Sequence, residues 1–164
     1  AEDVRHCVRI ARPDTPEDKG LYGVSTRRNS YMNYGGTPDY VKAINEIVVA
    51  VMIEKKGAVD ELEEVLSTPG LDMVQWGGSD YSMSIGRPGE RNHPEVVAAK
   101  NKVFETAIKM GVPPRAEVGS PEEAQEFLDM GVQHFSIGTD ISILHDWWKE
   151  SADGLWKAIG EPRT

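Results

Sequence analysis

The chain has 164 residues, 39% of them hydrophobic, enough for one domain with a real core. A formal net charge of −9 argues against a nucleic-acid partner, which would need clustered Lys and Arg. No apolar stretch reaches membrane-spanning length, and nothing at the amino end reads as a leader. The lone Cys7 allows no intrachain disulfide, so a cytoplasmic setting without a membrane partner is expected.

The first 47 residues read as a lead-in of helix, loop and helix. Glu2 to Ala11 looks helical, and Arg12 to Gly20, with Pro13 and Pro16, looks like a surface loop. Leu21 to Ser25 has the character of a short strand, followed by an aromatic and glycine loop containing Tyr31, Tyr34, Gly35 and Gly36. Thr37-Pro38 then opens a helix to about Asn45.

From residue 48 to 164 the pattern alternates, giving four strand–helix units in one domain spanning 1–164. Residues 48–53 form an apolar run, and 58–67 carry Val59, Leu62, Val65 and Leu66 at helical spacing. A second run at 73–76 precedes a Gly- and Pro-containing loop and a helix near 94–110 that stops at Gly111. Arg115 to Val118 is a third candidate strand. Ser120-Pro121-Glu122-Glu123 then reads as an N-cap, a first-turn proline and a capping-box acid for a helix to Met130. A fourth strand, His134 to Gly138, leads into a last helix at about 141–159.

Such alternation implies an α/β fold with a parallel sheet and helical crossovers. A doubly wound sheet and a β/α barrel both satisfy it. No GxGxxG or GxxxxGK[ST] follows any strand, and polar residues at strand ends (Glu54, Asp80, Asp140) suit the working face of a barrel. A full barrel needs about 250 residues, so the chain is either a barrel lacking its first half or a smaller, unusual sheet.

Glu54 and Asp80 each stand just past an apolar run, one strand–helix unit apart. On neighbouring strands roughly 5 Å apart, their carboxylates leave the same edge of the sheet and can share one hard divalent cation. The bland alternatives are a helix-dipole partner for Glu54 and an N-cap for the Tyr81 to Ile85 stretch in Asp80. Gly77-Gly78 suits close backbone approach to a ligand, or an ordinary tight turn.

Val51-Met52-Ile53-Glu54-Lys55-Lys56-Gly57-Ala58, Gly70-Leu71-Asp72-Met73-Val74, Gly77-Gly78-Ser79-Asp80-Tyr81-Ser82 and His93-Pro94-Glu95-Val96 form an ordered series. Together with Ser136-Ile137-Gly138-Thr139-Asp140, this series resembles the HpcH/HpaI family of class II, metal-dependent pyruvate aldolases. The resemblance implies a (β/α)8 barrel of the TIM type, of which this chain covers roughly the carboxyl-terminal half. It implies a carbon–carbon lyase cleaving a 4-hydroxy-2-oxo acid to pyruvate and an aldehyde through a metal-stabilised enolate. By the same resemblance, Glu54 and Asp80 match the carboxylates that bind Mg²⁺, Mn²⁺ or Co²⁺. Ser79, with Gly78 and Asp80, matches the substrate-binding turn. Met52 falls where many members carry a substrate-contacting glutamine, a departure that points to a different substrate.

The family's general-base histidine and transition-state arginine belong to the first half of the barrel, so no catalytic base is assigned here. Absence of that pair keeps open a non-catalytic half-barrel serving binding or assembly. Met52 keeps open a citrate-lyase-like or decarboxylase member of the same superfamily. His93 reads as a capping residue, and His6, His134 and His145 as surface or helix-flank residues; Asp140 reads as a cap of the last helix. Glu117 stands at a strand end, where the resemblance offers it no role. Trp147, Trp148 and Trp156 on the last helix exceed what a lone surface helix should expose, which suggests core or subunit packing. Family members exchange this helix within a hexamer, so a homo-oligomer is expected, with a small 2-oxo acid as ligand.

Overall fold

The computed structural model describes residues 1–24 and 35–160. Tyr31 and Tyr34 of the expected aromatic loop, and Ser25 of the expected first strand, lie outside them. Two helices, α1 (Glu2–Ala11) and α2 (Pro38–Asn45), precede the sheet. Between them the anticipated short strand amounts to a single parallel bridge, Pro13 to Tyr22.

Four parallel strands follow: β1 (Ala50–Ile53), β2 (Met73–Trp76), β3 (Pro114–Val118) and β4 (His134–Ile137). Their spatial order is β1-β2-β3-β4, the order of the sequence. A doubly wound sheet reverses its strand order at a switch point, whereas a barrel adds each strand beside the last. The observed order is that of a partial barrel.

Between β1 and β2 the expected single helix is two short ones, α3 (Lys56–Asp60) and α4 (Leu62–Leu66). The break falls at Glu61, whose φ of −100° and ψ of 25° leave helical geometry. After β2 come α5 (Gly78–Ser84) and α6 (Pro94–Met110). α6 starts where its chemistry dictates. His93 accepts a hydrogen bond from the Glu95 amide at 3.2 Å, Pro94 sits in the first turn, and Gly111 ends the helix at φ 76°.

α7 (Ala124–Asp129) begins later than the Ser120-Pro121 signal suggests. The carboxylate of Glu123 accepts the Gly119 amide at 2.7 Å, and Ser120 bonds Glu122. That local bonding closes a turn through Pro121 and delays the helix. α8 (Asp140–Ile159) is capped by Thr139, whose hydroxyl accepts the Ser142 amide, so Asp140 is the first helical residue and not the cap.

Residues alternate across the strands. Val51, Ile53, Val74 and Trp76 face α6, with Val96, Ala99, Val103 and Ala107 packed against them. Phe104, Ala116 and Val132 extend that core beneath β3 and β4. At the opposite end of the strands the Arg12 side chain, 14% exposed, ties α1 to the sheet. Its guanidinium donates to the Ile47 and Gly70 carbonyls and to Asp72, which also accepts the Val49 amide.

α8 departs from the expectation of core packing. None of its residues is buried, and Ile141, Leu144, Trp147, Trp148, Leu155 and Trp156 are all exposed. No described helix is long and apolar enough to cross a membrane.

Candidate functional site

The register places Ile53 opposite Trp76, so Glu54 and Gly77 are the next residues out on adjacent strands. The Gly77 amide donates to the Ile53 carbonyl at 3.0 Å, prolonging the ladder to the rim. A Cβ on Gly77 would stand 2.6 Å from Glu54 Cβ and 2.9 Å from Met52 Sδ. Gly77 has a φ of −107°, which any residue adopts. Glycine is therefore required for space, because the Glu54 side chain lies directly against it.

Asp80 lies three residues further on, in the first turn of α5. It is not the N-cap of that helix, since Gly77 precedes the first turn and no side chain caps it. The following turn is braced by the Ser82 hydroxyl, which donates to the Ser79 carbonyl at 2.7 Å. Beside this turn opens a cleft of about 590 Å³ at the carboxyl end of the strands. Met52, Gly78, Ser79 and Asp80 of the expected set line it; Glu54 adjoins it through Gly77.

No described residue donates a hydrogen bond or an ion pair to the carboxylate of Glu54 or Asp80. Both are unengaged oxygen donors on adjoining strand-to-helix segments, the ligand type a hard divalent cation prefers. Among the described residues no group of three or more His, Cys, Asp or Glu is arranged for a metal. Two carboxylates alone do not form a closed cage; a hard cation held by them would leave its other positions to water and to a ligand.

Tyr81, next to Asp80, packs on Trp76 with ring centroids 4.8 Å apart. Burial, and secondarily Glu95, raises its phenol above the ordinary range. Lys56, on the helix after Glu54, is likewise raised, by its hydrogen bond and charge pairing with Asp60 at 2.6 Å. It is therefore engaged away from the cleft.

Among the described residues no histidine lines the cleft. His93 caps α6 as expected, and His6, His134 and His145 are exposed. Polar contributors that were not anticipated include Arg91 and Asn92 from the loop before α6, Lys100 of α6, and Glu117 from β3. Glu117 accepts a hydrogen bond from Gln75 Nε2 at 3.3 Å, and Gln75 Oε1 in turn accepts Nε of Arg115 at 2.6 Å and a second guanidinium N–H. The signal for this chain was present in the strand alternation, which puts Gln75, Arg115 and Glu117 on one face. Finding it required the register that sets Gln75 opposite Arg115.

A family model described as HpcH/HpaI aldolase/citrate lyase matches residues 1–146. A 5-keto-4-deoxy-D-glucarate aldolase of Enterobacter sp. (strain 638) is 29% identical over 157 residues, 95% of this chain and 61% of that protein. The crystal structure of an HpcH/HpaI aldolase/citrate lyase family protein from Burkholderia cenocepacia J2315 superposes with a TM-score of 0.80. It is 28% identical, and the match covers 94% of this chain and 60% of that one. The structure of the citrate synthase SbnG gives 0.79 at 26% identity, covering 98% and 60%. The chain therefore spans about three-fifths of the length of these relatives. On the match over residues 1–146, supported by the strand order and the rim geometry, the chain belongs to the HpcH/HpaI aldolase/citrate lyase family.

Proposed function

We propose that the chain supplies the metal-binding half of a class II aldolase, a carbon–carbon lyase that cleaves a 4-hydroxy-2-oxo acid to pyruvate and an aldehyde. The observation carrying this reading is the pair of unengaged carboxylates Glu54 and Asp80, the first just past β1 against Gly77 and the second in the first turn of the helix that follows the neighbouring strand β2. The 5-keto-4-deoxy-D-glucarate aldolase similarity supports a hydroxylated 2-oxo acid as the substrate class.

Glu54 and Asp80 are the residues to hold Mg²⁺, Mn²⁺ or Co²⁺ there. A cation so held supplies Lewis acidity toward the 2-oxo group during carbon–carbon cleavage. Ser79 and Gly78, which line the cleft, shape the turn against which the substrate carboxylate rests. Met52, 47% exposed, presents an apolar thioether to the same space. The base and the arginine come, in this reading, from the part of the barrel that relatives carry beyond this chain's span.

α8 fits the same picture as an assembly element. Its exposed tryptophans and leucines, which no other described element covers, are proposed to be buried against further copies of the chain in a homo-oligomer. Met52 favours a second reading, a citrate-lyase-like member acting on another acid, because it removes the polar contact expected from glutamine.

Exchange of pyruvate methyl protons with deuterium by the complete protein tests the aldolase reading. Exchange should need a divalent cation and stop on chelation. Glu54→Gln and Asp80→Asn should each lower it on the order of a hundredfold or more, since several kcal/mol of charge stabilisation is at stake. Exchange that survives chelation or both substitutions overturns the assignment.

A further inference from the structure

Glu117 is the one carboxylate of the cleft whose position is fixed from behind by a chain of hydrogen bonds. Gln75, the middle member of that chain, is only 6% exposed although it is an amide. Its Oε1 receives two N–H donors from Arg115, which settles the orientation of the amide: the oxygen faces the guanidinium, so the NH2 group faces Glu117. Arg115 and Glu117 lie two residues apart on β3, hence on the same face of the sheet, and Glu117 pairs in register with Ser136 of β4. Continuing the β2–β3 register from Gln75 opposite Arg115 sets Glu117 level with Gly77. Glu54 flanks the same glycine from β1.

Three consequences follow for chemistry. Glu117 and Glu54 are separated by two strand spacings, about 10 Å between backbones. A substrate whose oxo-acid end rests at Glu54 and Asp80 therefore has to extend by a few carbons to reach Glu117. A carboxylate repels the carboxylate end of an oxo acid, so Glu117 belongs to the opposite end of the substrate. The polar side chains that line the cleft with Glu117, among them Arg91, Asn92, Lys100, Glu123 and Ser142, mix donors with acceptors. Hydroxyl groups, which both donate and accept, satisfy such a set better than an alkyl chain does.

We propose that Glu117, held by Gln75 and Arg115, is a specificity-determining residue that accepts a hydrogen bond from a hydroxyl on the aldehyde-derived part of the substrate. It selects polyhydroxylated over unsubstituted aldehydes. This assignment rests on the aldolase function proposed above and names the substrate contact within it. A site built to bond a hydroxyl discriminates strongly against the analogue that lacks it, because the polar group is left unpaired.

The test is the aldol addition of pyruvate by the complete protein to two three-carbon aldehydes, glyceraldehyde and propanal. The quantity read is the ratio of their kcat/KM values. Wild-type protein should favour glyceraldehyde, and Glu117→Leu should lower that ratio about tenfold to a hundredfold, mainly through the KM for glyceraldehyde. Glu117→Gln keeps an acceptor for the Gln75 amide and decides the matter if the leucine variant does not fold; it should lower the ratio in the same direction by less. A structural role for Glu117 would depress both aldehydes equally, and an unchanged ratio in either folded variant overturns the proposal. Wild-type protein that forms no adduct with either aldehyde, and exchanges no pyruvate protons, overturns the aldolase reading itself. Adduct formation with an unaltered ratio overturns only the role of Glu117.

Discussion

On one face of the sheet Val51, Ile53, Val74, Ala116 and Val118 meet the helices and fall largely out of solvent. On the other, Met52, Gln75, Arg115, Glu117 and His134 alternate with them and carry the hydrogen-bonding groups. The strands are the same; only residue parity differs. Apolar packing is concentrated on the covered face and polar side chains on the open one, and the two meet at the rim, around Gly77. Substitutions on the first should act through folding, those on the second through ligand, and the rim should show both.

The covered face can be broken most severely at Phe104. Its ring is 2% exposed, clustered with Ala116 and Val132 and tilted against Phe127 at 5.2 Å. Phe104→Ala is expected to cost about 3–5 kcal/mol, the range for truncating a buried aromatic ring, measured as a lowered urea midpoint. A loss below about 1 kcal/mol would mean that this part of the core collapses readily or is supported from outside the chain.

Gly77→Ala probes the rim, where both kinds of effect should appear together. The added methyl meets Glu54 Cβ at 2.6 Å, an atom one bond from the backbone that cannot swing aside. Overpacking of this kind costs about 1–3 kcal/mol. The accompanying displacement of Glu54 should reduce metal-dependent proton exchange far more than the stability change accounts for. A variant that is destabilised yet exchanges at the wild-type rate would separate Glu54 from the chemistry.

Much of this division was legible in the sequence, and the parts that were not share a physical cause. α6 announced both ends, through the His93-Pro94-Glu95 start and Gly111, because each signal is local and uses atoms within a few residues. The strand–helix alternation gave the parallel sheet, and the placement of Glu54 and Asp80 past their strands followed from it. Reading Ser120 as a cap failed because Glu122 and Glu123 spend their carboxylates on Ser120 and the Gly119 amide, a competing local solution. Glu61 interrupts what periodicity shows as one helix, since a 3.6-residue repeat survives a single residue leaving helical geometry. The Arg115–Gln75–Glu117 chain escaped notice because its partners lie 40 and 42 residues apart. Only strand register brings them together, and register is a tertiary fact. The exposed stripe on α8 was legible as an oddity of composition, but among the described residues nothing buries it.

The smallest expected effect sharpens the comparison on the covered side of the rim, at Tyr81. Its side chain is 4% exposed and its phenol is raised above the model-peptide value of 10.0, by burial first and Glu95 second, with Lys56 opposing. A phenol that deprotonates later in the fold than in the unfolded chain favours unfolding once the unfolded chain begins to shed that proton. Stability from this group is therefore intact below pH 10 and falls as pH rises from there through the folded value. Tyr81→Phe removes the titrating group while keeping the ring against Trp76, and the hydroxyl has no hydrogen bond to a described residue to lose. Near neutral pH the variant should differ little from wild type, within about 0.5 kcal/mol. Between pH 8 and pH 11 its urea midpoint should fall less than that of wild type. Equal falls would assign the alkaline loss to other groups, Lys56 with its Asp60 partner first among them, since a lysine raised by an ion pair loses its contribution in the same direction.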